Sequence, residues 1–105
     1  MSELPHELPD ELIEQLLELC DSLREETRTF LDEPGDQQVW YNRGYANGIL
    51  AALQRLGQAH RLADRSLDDI DEIGGQFALP WGKAYRHGET TGSRETHEIT
   101  GIKAT

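Results

Sequence analysis

The side chains that could do chemistry in this chain are scattered, not gathered. His6, His60, His87 and His97 include no pair at i, i+3 or i, i+4, the spacing two imidazoles need to share a zinc ion from one helix face. Cys20 is the single cysteine, which excludes an internal disulfide. It falls in an apolar stripe with no base beside it, so it reads as a small buried hydrophobe and not as a thiol nucleophile. Gly-x-Ser-x-Gly, phosphate-loop and dinucleotide fingerprints are missing. Two constellations remain. Arg55 and His60 are separated by four residues, and acidic pairs such as Glu11/Glu14 or Glu25/Glu26 could join Asp69 and Glu72 around a divalent cation.

The stretch Arg55-Leu56-Gly57-Gln58-Ala59-His60 resembles the ribonuclease motif of the all-helical HEPN nucleases, in which Arg and His meet the scissile phosphate. The resemblance covers six residues, and Leu56 stands where that family usually has a polar residue. The acidic pairs resemble the Glu/Asp clusters with which all-α nucleotide pyrophosphohydrolases hold Mg²⁺. Either resemblance implies a small all-α hydrolase. The apolar pattern, however, turns most of these acids toward water, where carboxylates cannot converge on an ion. No catalytic residue, metal or cofactor is therefore assigned, and the chain is not expected to be an enzyme.

Which elements would position these residues can be read from periodicity. From Asp10, read as an N-cap, apolar residues recur at Ile13, Leu16, Leu17, Cys20, Leu23, Phe30 and Leu31, with Thr27 in the same stripe, predicting a first helix over about 10–32. Val39, Trp40, Tyr41, Tyr45, Ile49, Ala52, Leu53, Leu56, Ala59 and Ala63 predict a second over about 37–63. The short turn at Pro34-Gly35-Asp36 implies an antiparallel hairpin. Ser66-Leu67-Asp68-Asp69 reads as the start of a short third helix ending near Ile73, before Gly74-Gly75. Phe77, Leu79, Trp81 and Tyr85 then alternate as in an extended strand, and Pro80 demotes that strand to an edge. The expectation is a mainly α chain: a helical hairpin domain over 1–75 and an extended or weakly β tail over 76–105. A two-helix hairpin encloses no core alone, so either the third helix and tail fold back over it or two copies pair into a four-helix bundle, and the dimer is the favoured expectation. Gly44, Gly48 and Ala52 form a strip of small residues that admits a close neighbour, the first helix, a second copy or a partner, and Tyr45 packs beside it.

Charge is the most uneven feature. Of the net charge of -10, residues 1–36 carry twelve acids against two bases (-10), residues 37–65 one acid against four bases (+3), and residues 66–105 seven acids against four bases (-3). Glu11, Glu14, Glu18, Asp21, Glu25 and Asp32 form an acidic outer face on the first helix. Such a face keeps a protein in solution, or offers a landing surface to a basic partner. Direct nucleic-acid binding is not expected, since no basic stripe is present to neutralise phosphates. Trp40-Tyr41-Asn42-Arg43-Gly44-Tyr45 and Trp81-Gly82-Lys83-Ala84-Tyr85-Arg86 concentrate the residue types of binding hot spots. Small size, acidity and the lack of enzyme motifs resemble the inhibitors encoded by phages and mobile elements, including anti-restriction and anti-CRISPR proteins. That resemblance implies a protein-binding module acting by occlusion, a nucleic-acid mimic covering a basic surface. Glu11, Glu14, Glu18, Asp21, Glu25, Trp81, Tyr85 and Arg86 would be its contacts. The alternative is an assembly adaptor that oligomerises through its hairpin. No apolar run could span a bilayer and no signal region opens the sequence, so a cytoplasmic location is expected.

Overall fold

The computed structural model of the chain describes residues 10–33, 35–63, 65–68 and 73–100. Among them the architecture is mainly helical and contains no strand. Three α-helices carry it: α1 (Asp10–Glu26), α2 (Gln37–Arg55) and α3 (Pro80–Thr100), with single 3₁₀ turns at Phe30–Asp32, Ala59–Arg61 and Gly74–Gln76. No described helix is long and apolar enough to cross a membrane.

The first helix is shorter than its periodicity suggests. At Thr27 the hydroxyl turns back to the Leu23 carbonyl at 2.6 Å, and the chain tightens into the 3₁₀ turn that swings Phe30 into the core. Asp36 caps α2, its Oδ1 accepting from the Val39 amide at 3.2 Å. That helix also stops early, because Gly57 adopts φ +81. The Gln58 and Gly57 amides then donate to the carbonyls of Leu53 (2.9 Å) and Gln54 (3.1 Å), the paired bonds of a Schellman stop. Of the short helix expected over 66–73, residues 66–68 are not helical and residues 69–72 lie outside the described residues.

The expectation of an extended tail is overturned. Residues 80–100 are helical and lie along α2. Pro80, which weakens a strand, is well suited to the first turn of a helix, where its missing N–H is not needed. Glycine and threonine make α3 a poor helix former on intrinsic propensity. Tertiary packing supplies what propensity lacks, and Thr91, Thr96 and Thr100 bond back to the carbonyls of His87, Gly92 and Thr96 at 2.8–2.9 Å.

That packing is backbone on backbone. A Cβ added to Gly44, Gly48, Gly88 or Gly92 would lie well under 3.0 Å from the carbonyl oxygen of Tyr85, Glu89, Tyr41 or Tyr45 respectively. The two helices share one pattern, Tyr-x-x-Gly-x-x-x-Gly, at Tyr41/Gly44/Gly48 and Tyr85/Gly88/Gly92, and each lays its glycines on the other's carbonyls. Gly44 meets Tyr85 and Gly48 meets Glu89, so α2 and α3 run parallel. The glycine strip thus faces neither α1 nor a second copy in this structure, but a third helix of the same chain.

On the opposite side of α2 sits α1. Ala46 and Leu50, two positions on from the glycines, point about 200° away from them. The Cys20 thiol donates to the Ala46 carbonyl at 3.6 Å, and Arg61 reaches Asp10, so α1 runs against α2. Ile13, Leu16, Leu17, Cys20, Ile49, Leu50, Leu53 and Leu62 form one apolar cluster, and Phe30, Trp40, Ile73 and Tyr85 the other. Phe30 and Trp40 meet edge to face with centroids 4.9 Å apart, and the Trp40 indole donates to the Glu33 carbonyl at 3.1 Å.

Alanine normally stabilises a helix interior relative to glycine by about 1 kcal/mol. Gly48→Ala and Gly92→Ala are expected to do the reverse, lowering stability by about 1–3 kcal/mol through overpacking against carbonyls that cannot rotate away. Gly75→Ala, whose Cβ would meet nothing within 4 Å, should leave the urea midpoint within error of wild type.

Candidate functional site

Two charged features stand out, and they adjoin. The first is the outer flank of α1. Glu11, Glu14, Glu18, Asp21 and Glu25 are exposed at spacings of three and four, so they line one side of the helix, with Ile13, Leu16, Leu17 and Cys20 holding the buried side. The structure divides this line. Asp21 is clamped by Nε and Nη2 of Arg65, both at 2.8 Å, and that bond holds its carboxyl below the usual range. Glu25 pairs with Arg28 at 2.8 Å. Glu11, Glu14 and Glu18 have no ion pair with a described residue. Asp32 is exposed as well, beyond the end of α1.

The second feature is a buried polar knot around Asp68, whose side chain is only 7% exposed. Its carboxylate accepts from Nη2 and Nε of Arg43 at 2.8 and 3.0 Å and from the Tyr85 hydroxyl at 2.7 Å. Its amide donates to Asn47 Oδ1 at 2.8 Å, and Asn47 Nδ2 donates on to Glu89 at 2.9 Å. Arg24 approaches from α1, with Nη1 donating to the Ser66 carbonyl at 2.6 Å and Nη2 lying 3.6 Å from Asp68. Arg43 also stands 4.9 Å over the Phe30 ring and donates to the Arg24 carbonyl at 3.3 Å. One carboxylate therefore ties α1, α2 and α3 together.

Arg43 and Tyr85 carry the clearest revision of the residue assignments. Tyr85 does not lie on a contact surface as the sequence suggests; it is fully buried, and burial together with Asp68 pushes its hydroxyl far up. A buried guanidinium on α2 needs a counter-ion, and Tyr85 helps hold that counter-ion in place. Asp68 escapes notice in the sequence because it reads there as part of a helix start. The signal is Arg43 itself, a cation among apolar and aromatic residues with no acid one turn away. Trp81 is half-buried with its indole donating to Gln76 Oε1 at 2.9 Å. Arg86 stays exposed, its guanidinium 4.6 Å over Phe77. Ala52 is buried, and the Tyr45 hydroxyl donates to Glu95 of α3.

The residues considered for catalysis do not come together. Arg55 and His60 are both exposed, and Arg55 donates to Ser93 Oγ at 3.2 Å. Glu11, Glu14, Glu25 and Glu26 point to solvent. Asp69 and Glu72 lie outside the described residues, and among the described ones no three His, Cys, Asp or Glu side chains are placed to hold a metal ion. No family model matches the chain, and neither does any curated protein or solved structure.

Asp68→Asn keeps the shape and removes the charge, leaving Arg43 buried without its anion; a loss of about 3 kcal/mol in urea unfolding is expected. Asp21→Asn, at a half-exposed pair, should lose less than about 1 kcal/mol. Alkaline pH tests the apolar cluster. Burial pushes the Cys20 thiol up from 9.0 to about 12, and burial and the Glu95 hydrogen bond push Tyr45 up from 10.0 to about 12. Both groups hold their protons more tightly folded than unfolded, so their contribution is complete below pH 9 and is lost as pH rises toward 12. The melting temperature should fall across that window, less steeply in Cys20→Ala and in Tyr45→Phe.

Proposed function

We propose that this protein is a binding module that docks the outer flank of α1 on a basic surface of a protein partner and acts by occluding it. The observation that carries the reading is the row Glu11, Glu14 and Glu18: exposed, without an ion pair among the described residues, and fixed on a helix whose other side is locked into the core. At about 1.5 Å per residue these three charges span about 10 Å, and the whole flank to Glu25 about 21 Å. That is one charge per about 5 Å, sparser than the roughly 3.4 Å of a single DNA strand. The flank therefore suits a short run of Lys/Arg side chains better than a full duplex groove. An inhibitor of anti-restriction or anti-CRISPR type, covering part of a nucleic-acid-binding surface, is the specific form this reading takes. Exposed charges act over about 8 Å at physiological salt, so the flank supports partner encounter and orientation more than raw affinity.

Titration with a Lys/Arg-rich peptide by calorimetry tests the reading. Saturable binding at low salt is expected, weakening steeply at high salt and about tenfold or more in Glu11→Gln/Glu14→Gln/Glu18→Gln. Affinity unchanged in that triple variant would remove the flank from the docking surface.

A further inference from the structure

We propose that the uncovered side of the α2–α3 pair, at Tyr41 and His87, is a docking site for an aspartate or glutamate carried on an extended segment of another protein. The inference rests on an approximate two-fold axis along the glycine seam. Tyr41, Gly44 and Gly48 of α2 recur 44 positions later as Tyr85, Gly88 and Gly92 of α3. Their contacts are reciprocal: Gly44 meets the Tyr85 carbonyl as Gly88 meets that of Tyr41, and Gly48 meets Glu89 as Gly92 meets Tyr45. Tyr45 and Glu89 are themselves 44 positions apart, so the two helices correspond position by position over this stretch.

One side of the pair is occupied. There Arg43 of α2 and Tyr85 of α3 donate to the Asp68 carboxylate at 2.8 and 2.7 Å, and Asn47 accepts from the Asp68 amide at 2.8 Å. Asp68 is a carboxylate on a non-helical segment, bound between the two helices. The axis carries Arg43 onto His87, Tyr85 onto Tyr41 and Asn47 onto Thr91. His87 and Tyr41 do meet on the other side, with ring centroids 5.5 Å apart. His87 is exposed and Tyr41 half-buried, and among the described residues no hydrogen bond takes up the Tyr41 hydroxyl or the His87 ring. Ala84 stands in the place of Trp40, so the indole that fills the occupied side has no counterpart here. Lys83, one turn before His87, is exposed and has no ion pair among the described residues, which supplies the charge complementary to a carboxylate. The neighbouring acids are turned elsewhere: Asp36 caps α2, Glu89 accepts from Asn47, and Glu95 and Glu98, about two and three turns beyond His87, take the Tyr45 hydroxyl and lie 4.0 Å from Arg94. A neutral imidazole offers one donor where guanidinium offers a fork, so this side suits an occupant that binds and leaves, whereas Asp68 is held as part of the fold.

This site takes an acidic segment, so it stands independently of the basic-partner reading of the α1 flank. Its test is a titration of the ¹⁵N-labelled protein with a blocked Ser-Leu-Asp-Asp peptide, which copies residues 66–69, and with its Ser-Leu-Asn-Asn counterpart, at constant ionic strength. The Tyr41 and His87 amides should shift saturably with the first peptide, and the second should bind about tenfold or more weakly. Tyr41→Phe and Lys83→Gln should each weaken binding several-fold, with the fold intact by circular dichroism. His87→Arg, which restores on this side the guanidinium of the other, should tighten it about tenfold. Shifts that never saturate, shifts that are the same with both peptides, or a His87→Arg variant that binds no more tightly overturn the proposal. So do shifts of these amides on diluting the protein alone, which would put a second copy in the site.

Discussion

The contact on which the structure depends is the approach of α2 and α3 backbone to backbone, which only glycine at 44, 48, 88 and 92 permits. Helices separated by ordinary side chains pack about 8–10 Å apart. Removing the side chains at the seam brings carbonyls of one helix onto the Cα atoms of the other and multiplies short-range dispersion contacts. Such a contact is unforgiving, because backbone cannot rotate out of the way as a side chain can. It also gives α3 its reason to be helical, since threonine and glycine offer little propensity of their own.

Parallel pairing also constrains the connection between the two helices. A chain that leaves the C-terminal end of α2 must travel back along the pair before α3 can begin beside the start of α2. Gly57 releases the chain from α2, Leu62 and Ile73 plug the two apolar clusters on the way, and Asp68 pins the return segment between Arg24, Arg43 and Tyr85. The buried ion pair is costly in desolvation, and it persists with nearly every donor and acceptor answered. With α1 and α3 on opposite faces of α2, this knot joins elements that lie apart. The same division of labour sorts the charges. Arg43 of α2 and Arg61 and Arg65 of the return segment turn inward or toward α1, while the acids of α1 that they do not reach remain along its outer flank.

Much of this is legible in the residues. The starts of α1 and α2, the buried stripe of α1 and the acidic outer flank come from periodicity and from the turn at Pro34-Gly35-Asp36, because those signals are local; Asp10, read as a cap, is the first residue of α1 and pairs with Arg61. The glycines of α2 announce a close neighbour but cannot name it, since spacing fixes a face and not what meets it. The same spacing recurs at Gly88 and Gly92, and matching it to Gly44 and Gly48 is the signal that reveals α3. The tail instead reads as a strand because Phe77, Leu79 and Trp81 alternate, and Pro80 counts there as a strand breaker when its better role is to open a helix. The Asp68 knot is hidden for another reason. Arg43 and Asp68 are 25 positions apart, and no local pattern links a buried cation to a counter-ion in a loop.

If the glycine seam closes within one chain, the contact between the Gly44 and Tyr85 α-protons must be intramolecular. An NMR sample of labelled protein diluted into unlabelled protein measures this directly. A strong cross-peak that survives dilution, and is missing from an isotope-filtered spectrum of the mixture, is the expected result. A cross-peak that fades on dilution and appears between labelled and unlabelled molecules would place the seam between copies, and would contradict a fold closed on itself.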